Sequence, residues 1–313
     1  MTSNNSDDIN GSSTDNLAEK FDLYPIPPVE LFKGSFLAPF KDSALLVSSF
    51  ILIVGLTFAA VLIIMLLSLV KSGVLNLVGI VTIAILISAG IVGVFNEWVR
   101  RGLGLPENKC AGRFGRFYNG ILRNYGWFIL ISIISGLISF AGIWLLSQVL
   151  PSILGIEHAL NKSRGVDISA LKTKLFFLGN IYNLFAIMVF AYVIYRYAAD
   201  LVTGSLGDKL GPEVEQRIPF GARLKGLYLP FLGLFFTFLL FSSLMSFVPL
   251  AIMPAGLAEF GLGLGALVSS GLMFIIGIAI SVLELAMVAS MLAYAFRYRF
   301  GLSVQGLLQE QQD

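Results

Sequence analysis

Cysteine and histidine are almost absent from this chain, which has one of each among its 313 residues, Cys110 and His158. A single cysteine excludes any disulfide within the chain, and no Cys/His spacing typical of a zinc site occurs. A metal site built from this chain alone would have to depend on carboxylates. The sequence therefore predicts neither a metal nor another cofactor.

Charged residues are also scarce. Asp, Glu, Lys and Arg make up 13% of the chain, about half of their share in ordinary soluble domains. The net charge of +2 is too small to indicate nucleic acid as a partner. No acid, base and nucleophile occur at a spacing that indicates a catalytic site. We therefore expect a protein that is not an enzyme and that binds no nucleic acid.

Hydrophobic residues, in contrast, form 57% of the chain and gather in six long apolar runs. Each run reaches the length of about 20 residues that a helix needs to cross the hydrocarbon core. In lipid the backbone must satisfy its own hydrogen bonds, so these runs are expected to be helices. The predicted spans cover residues 44–70, 74–95, 125–149, 175–195, 226–252 and 265–296.

The predicted architecture is an all-α transmembrane domain, residues 21–300, built as three helical hairpins. Residues 1–20 are polar and acidic, with no basic start or early apolar run of a signal peptide, and are expected to be a disordered cytoplasmic tail. Residues 301–313 are expected to be a second cytoplasmic tail. Residues 96–124 and 196–225 are predicted loops, too short for a separate folded domain.

Lysine and arginine predict the orientation, since they accumulate on the cytoplasmic side of short loops. With the N-terminus inside, 16 of the 21 basic residues fall on inner segments and 5 on outer segments. Trp98, Trp127 and several tyrosines would then form an aromatic belt at the inner membrane surface. We therefore expect an integral protein of the cytoplasmic membrane with both termini in the cytoplasm.

Similar short segments precede the first, third and fifth predicted spans, and each ends in a glycine, at Gly34, Gly120 and Gly226. The pattern indicates either a threefold pseudo-repeat of hairpins or only the composition common to helices that begin at the cytoplasmic surface. Residues 28–40 and 113–124 are also amphipathic, and are predicted to lie in the headgroup region.

Five arginines are clustered along the first predicted inner loop. At about 1 kcal/mol for each basic residue near an anionic surface, such a cluster could hold lipid headgroups, or it could only set the topology. Membrane lipids are therefore the expected partners, with a second copy of the chain or another membrane protein as a further candidate. The cluster consists of Arg100, Arg101, Arg113, Arg116 and Arg123.

One carboxylate, Glu284, lies inside the sixth predicted span. Arg297 follows 13 residues later, which places Glu284 roughly 20 Å along the helix from that end. An unpaired carboxylate at this depth costs several kcal/mol, so Glu284 either has a role in proton or substrate handling or hydrogen-bonds a neighbouring helix. Ser281 on the same helix, with Asn180 and Asn183 on the fourth, completes a candidate polar site.

Short motifs add a resemblance to a known family. The chain carries Ala-Pro-Phe-Lys-Asp at 38–42, Glu-Trp-Val-Arg-Arg at 97–101 and Leu-Pro at 105–106, Phe and Gly at 117 and 120, and Tyr-Arg-Tyr-Ala-Ala at 195–199. In these motifs it resembles a family of prokaryotic multi-pass membrane proteins known only as a domain of unknown function. The resemblance implies a cytoplasmic-membrane location and no established activity, and it assigns no functional residues.

Two functions are compatible with these observations. The first is a non-catalytic integral membrane protein that organises lipid or partner proteins, favoured by the short loops and the scarcity of buried polar groups. The alternative is a transporter or permease for a small molecule that uses Glu284. An intramembrane enzyme ranks last, because no catalytic constellation is present.

Overall fold

The computed structural model describes residues 27–69, 73–104, 121–122, 124–153, 168–206, 224, 226–245 and 262–300. The two predicted tails, residues 1–20 and 301–313, lie outside the described residues. The described part is helical and contains no strand. Its helices are α1 (Pro28–Lys41), α2 (Ser43–Ser68), α3 (Gly73–Gly102), α4 (Tyr125–Ile153), α5 (Ile168–Arg196), α6 (Ala198–Leu206), α7 (Tyr228–Met245) and α8 (Leu262–Phe300).

Five of the described helices are long and apolar enough to cross a membrane, which confirms a multi-pass membrane protein. They are the spans within α2, α3, α4, α5 and α8, namely Ser43–Ser68, Gly73–Gly102, Tyr125–Ile153, Phe177–Arg196 and Phe274–Arg299. The predicted span at residues 226–252 falls on α7. Its described apolar stretch, Tyr228–Leu240, is shorter than a full crossing requires, so the six-span arrangement is not confirmed.

Helix α1 leads directly into the first span. Pro28 occupies its first turn, where the missing N–H removes no helical hydrogen bond. The helix ends at Lys41 because Asp42 has φ −119° and ψ 63°, outside the helical region. Asp42 then caps α2, where its carboxylate accepts a hydrogen bond from the backbone N–H of Leu45 at 3.4 Å.

Helix α8 lies at the centre of the bundle and packs against α1, α2, α3, α6 and α7. The buried core is concentrated at one end of the molecule, which we call the packed end. It comprises the C-terminal parts of α3, α5 and α8, the first turns of α7, and α1 and α6. Trp98, Phe95, Phe231 and Phe296 are its largest fully buried side chains.

The opposite half of the bundle is loosely packed. Large apolar side chains are exposed along the end of α2, the start of α3 and the second half of α4, as at Leu69, Val74 and Phe140. In water such a surface would be unfavourable, but in a bilayer it would contact acyl chains. The burial pattern therefore agrees with a bundle that has much of its apolar surface in lipid.

Two details differ from the sequence-based boundaries. Helix α3 continues to Gly102, so residues 96–102 of the first predicted loop are helical. Within the second predicted loop, residues 198–206 form α6, which is buried and packs against α3 and α8. Both additions bring polar residues into the packed end, where the tertiary contacts can satisfy them.

The threefold pseudo-repeat is not confirmed. Gly34 lies inside α1, whereas Gly226 has a φ of 88° in a turn before α7, so these two motif glycines have different backbone roles. Gly120, the third, lies outside the described residues.

Candidate functional site

A cavity of about 240 Å³ opens at the packed end, between the C-terminal ends of α1 and α3 and the C-terminal half of α8. We call it the packed-end cavity. Its lining combines exposed charged side chains with buried polar ones. The lining residues are Ala38, Lys41, Asp42, Trp98, Arg101, Gly102, Ser290 and Tyr294.

The charged part of the lining joins α1 to α3. The side chain of Arg101, at the end of α3, forms a salt bridge with Asp42 through its Nε atom. The two side chains are 46% and 16% exposed, so the pair itself adds little stability. Lys41 is exposed beside it. With one carboxylate and two cations, the lining has a net positive charge.

The deeper part of the lining contains two buried polar groups that lack a partner. Trp98 and Ser290 are each 1% exposed. Neither the indole Nε1 of Trp98 nor the Oγ of Ser290 has a hydrogen-bond partner among the described residues. Buried polar groups are almost always hydrogen-bonded in proteins. Both atoms have almost no accessible surface, so they lie behind the lining of the cavity.

Ser290 also departs from the usual behaviour of helical hydroxyls in this protein. A buried serine inside a helix often donates to the carbonyl oxygen four residues earlier, and eight helical Ser and Thr hydroxyls of this protein do so. Ser35, Ser49, Thr57, Thr82, Ser88, Ser205, Thr237 and Ser281 make this bond. The buried hydroxyls of Ser135 and Ser290 do not, and neither has a partner among the described residues.

Close helix packing keeps the cavity in its present form. At Gly102, α3 comes so near to α8 that an added Cβ would be 2.7 Å from the Cβ of Ala293 and 3.5 Å from the Cα of Ser290. Since Cβ atoms do not approach one another this closely, glycine is required for this contact. The position of Ser290 relative to Trp98 and Arg101 thus depends on Gly102.

The polar groups of the cavity are mainly hydrogen-bond donors. Indole and guanidinium groups donate only, and hydroxyls donate or accept. The carboxylate of Asp42 is already bound to Arg101 and to the N–H of Leu45. The net positive charge of the lining, from Lys41 and Arg101 around one carboxylate, disfavours a metal cation.

A second buried polar cluster lies at the same end and is bonded through the amide nitrogen of Asn124, whose amide oxygen has no partner among the described residues. The amide nitrogen of Asn124 lies 2.8 Å from Asn96 Oδ1, the Leu201 carbonyl and Ser205 Oγ. Asn124 has a φ of 61°, a left-handed conformation that asparagine tolerates better than most residues. The cluster joins α3, α6 and the start of α4, so we interpret it as structural.

The polar site predicted around Glu284 is distributed over two helices. Glu284 is half-buried on α8, and the hydroxyl of Ser281 donates to the Gly277 carbonyl at 2.9 Å. Asn180 is half-buried and Asn183 exposed on α5, a helix that packs mainly against α4 and α7. The role of these four residues stays a prediction.

The predicted arginine cluster is described only in part. Arg101 lines the packed-end cavity, and Arg100 is half-buried beside it in the sequence. Arg113, Arg116 and Arg123 lie outside the described residues. No group of three His, Cys, Asp or Glu side chains that could hold a metal occurs in the part of the chain that is described.

Sequence reasoning missed the buried donors. It assigned Trp98 to an aromatic belt at the membrane surface, whereas the structure buries it in the core. Ser290 gave no sequence signal, because a serine in an apolar helix usually bonds its own backbone. The one indication in the sequence was at the C-terminal end of α3, where Glu97 and Trp98 lie next to Arg100 and Arg101.

Comparisons with known proteins add no assignment. No protein-family model matches the chain, no curated protein matches it, and no solved structure matches it. No family match therefore supports the resemblance to a family of unknown function.

Proposed function

We propose that this protein is a non-catalytic integral membrane protein of the cytoplasmic membrane that organises lipid or partner proteins. In this proposal it has six spans, both termini lie in the cytoplasm, and the packed end faces the cytoplasmic surface. One observation carries the proposal. One end of the bundle is positively charged and well packed, and the other half is loosely packed with exposed apolar side chains.

Helix contacts support an even number of spans. Gly34 of α1 lies next to the ring of Tyr294 near the end of α8, with the positions of an added Cβ and of Cε2 separated by 3.6 Å. Phe32 of α1 lies against Gly233 near the start of α7. The first described helix therefore meets both the start of α7 and the end of α8. This arrangement supports a crossing by the segment that begins with α7, since α8 ends at the same end of the bundle.

The distribution of basic residues supports the orientation. Most basic residues in the described segments belong to α1 or to helix C-terminal ends at the packed end, as the positive-inside rule expects of a cytoplasmic face. Residues of this group are Lys33, Lys41, Arg100, Arg101, Arg196, Arg297 and Arg299. The same charges would attract anionic lipid of the inner leaflet.

The test is lipid retention measured by native mass spectrometry of protein purified in mild detergent. We expect the protein to retain phosphatidylglycerol over phosphatidylcholine, and the triple variant Arg113→Glu, Arg116→Glu, Arg123→Glu to lose most of this preference. The matched control reverses three basic residues of the predicted outer loop, Lys162, Lys172 and Arg164, and should leave the preference unchanged. Equal retention of the two lipids by the unmodified protein would contradict the proposal.

The alternative function is a small-molecule transporter or permease that uses Glu284. The observation in its favour is a half-buried carboxylate within the apolar span Phe274–Arg299. Ionisable residues at such positions are uncommon without a function. The two functions differ in what they require of Glu284, and this difference can be measured.

A further inference from the structure

We propose that α1 lies in the plane of the cytoplasmic membrane surface and that its exposed face binds anionic phospholipid. Three phenylalanines, Phe32, Phe36 and Phe40, lie among the acyl chains of the cytoplasmic leaflet, and Lys33 beside them contacts the headgroups. The inference deepens the proposed function and rests on it, because it names the surface with which a lipid-organising protein would hold its lipid and the charge of that lipid.

Helix α1 carries three kinds of residue on three different faces. At 3.6 residues per turn, the three phenylalanines fall within an arc of about 80° around the helix axis. Three exposed charged residues fall within a second arc of about 80° next to it, and buried residues occupy the remaining face. The charged residues are Glu30, Lys33 and Lys41, and the buried ones include Leu31, Ser35 and Ala38.

The buried face holds α1 across the packed end of the bundle. The C-terminal residues of α1 line the packed-end cavity together with the last turns of α3. Gly34 lies against Tyr294 of α8, and Phe32 lies against Gly233 in the second turn of α7. Asp42, whose backbone is not helical, separates α1 from the first span. Helix α1 therefore crosses the bundle at the level where α3 and α8 end and α7 begins.

The three phenylalanines form a row that we call the phenylalanine ridge. The ring centroids of Phe32 and Phe36 are 6.3 Å apart, and those of Phe36 and Phe40 are 6.2 Å apart. Phe36 is 38% exposed and Phe40 is 56% exposed, which is unfavourable in water. The exposed Val47 of the first span follows only seven residues after Phe40, so the bilayer lies next to the ridge. Insertion at the boundary between headgroups and acyl chains would cover it.

The charges beside the ridge favour an anionic lipid. Lys33 lies about 60° around the helix from Phe36, whereas Glu30 lies about 120° from it. The lysine is therefore the charged residue nearest to the ridge, and its long side chain can extend to the headgroups while the ridge is inserted. An ammonium group at this level attracts anionic lipid. An apolar segment of a partner protein on the ridge would offer Lys33 no opposite charge.

The first experiment measures the depth of α1 in the full-length protein, reconstituted in phosphatidylglycerol vesicles. Nitroxide spin labels are attached to Glu30→Cys, Phe36→Cys, Phe40→Cys and Phe58→Cys, each in a Cys110→Ser background. Phe58 is exposed within the first span and provides the lipid reference. We expect oxygen, which concentrates in lipid, to relax the labels at positions 36 and 40 as it does at 58, and a water-soluble nickel complex to relax the label at 30. All four positions are exposed, and thermal unfolding checks that each variant folds.

Two results of this experiment would overturn the inference. If the nickel complex relaxes the labels of Phe36→Cys and Phe40→Cys as strongly as that of Glu30→Cys, the ridge is in water. If both labels are shielded from oxygen and from nickel, protein covers the ridge, and in a purified sample that protein is a second copy of the chain. Only high oxygen accessibility with low nickel accessibility agrees with a ridge in lipid.

The second experiment tests the charge of the lipid, by native mass spectrometry of full-length protein offered phosphatidylglycerol and phosphatidylcholine. We expect Lys33→Gln to reduce the preference for phosphatidylglycerol about fivefold, the effect of one basic residue near an anionic surface. The matched control is Lys174→Gln in the second turn of α5, at the opposite end in the proposed topology, and it should leave the preference unchanged. An unchanged preference in Lys33→Gln overturns the inference. If the triple arginine variant still loses its preference in that case, the proposed function stands and only the assignment to α1 fails.

Discussion

Gly34 of α1 lies against the ring of Tyr294 in α8, close enough that an added Cβ would be 3.6 Å from Cε2. This contact connects a helix near the start of the chain to the last described helix. Because α1 lies immediately before the first span, the contact brings the beginning and the end of the transmembrane domain to the same end of the bundle. Membrane topology can therefore be tested at a few exposed positions.

Single cysteines introduced into a Cys110→Ser background should report opposite sides of the membrane. Val29 near the start of α1, Tyr298 near the end of α8 and Leu69 at the end of α2 are all exposed. A membrane-impermeant thiol reagent should label Leu69→Cys in intact cells, and Val29→Cys and Tyr298→Cys only after permeabilisation. Labelling of Val29→Cys and Tyr298→Cys from opposite sides would refute an even number of spans.

Asn124→Ala should destabilise the packed end. The substitution removes the amide that contacts Asn96, Leu201 and Ser205, and it places alanine at a φ of 61°. We expect a loss of about 1–3 kcal/mol in unfolding free energy from unsatisfied buried acceptors. Thermal unfolding in detergent is the measurement, with Asn183→Ala at an exposed position as the control. Equal unfolding temperatures for both variants would show that the cluster contributes nothing.

Gly102→Ala and Gly136→Ala should have opposite effects, although both are glycine-to-alanine changes within membrane helices. A Cβ at Gly102 would be 2.7 Å from that of Ala293, while one at Gly136 would meet nothing within 4 Å. We expect a loss of about 1–3 kcal/mol at Gly102 from overpacking and a gain of about 0.5–1 kcal/mol at Gly136 from helix propensity. The measurement is the unfolding temperature of both variants in the same detergent. An unchanged unfolding temperature for Gly102→Ala would show that α3 and α8 are not closely packed at this position.

Substitutions of Glu284 should separate the two candidate functions. Under the lipid-organising proposal, Glu284→Leu should fold and keep its lipid preference, because an apolar side chain suits the span. Under the transporter alternative, Glu284→Gln should fold normally and abolish flux of the transported molecule in proteoliposomes. A functional screen for flux, run beside thermal unfolding, provides the measurement, and unchanged flux in Glu284→Gln would remove the alternative.

The sequence predicted the spans well where hydrophobicity alone decides. The runs within α2 and α4 are apolar on all sides, so their helices follow from length and composition. The sequence-based prediction was less accurate for the positions where helices end. The extension of α3 to Gly102 and the burial of α6 depend on tertiary contacts that offset their polar residues, and hydropathy does not include such contacts.

The candidate cavity was predictable only in part. Arg101 was identified from the sequence because arginines near a membrane surface form a recognisable pattern. Trp98 and Ser290 were not, because whether an indole N–H or a serine hydroxyl has a partner depends on the neighbouring helix. The sequence places those groups on α3 and α8 but does not show that the helices meet at Gly102.

Composition and the length of the apolar runs determined by themselves that this chain is a multi-pass helical membrane protein, because in a bilayer the polar backbone N–H and C=O groups have to bond one another. The tertiary structure decided which end of the bundle is closely packed and which buried donors have no partner among the described residues. Those properties arise from contacts between residues far apart in the chain, such as Gly102 and Ala293, and the local pattern around each residue does not contain them.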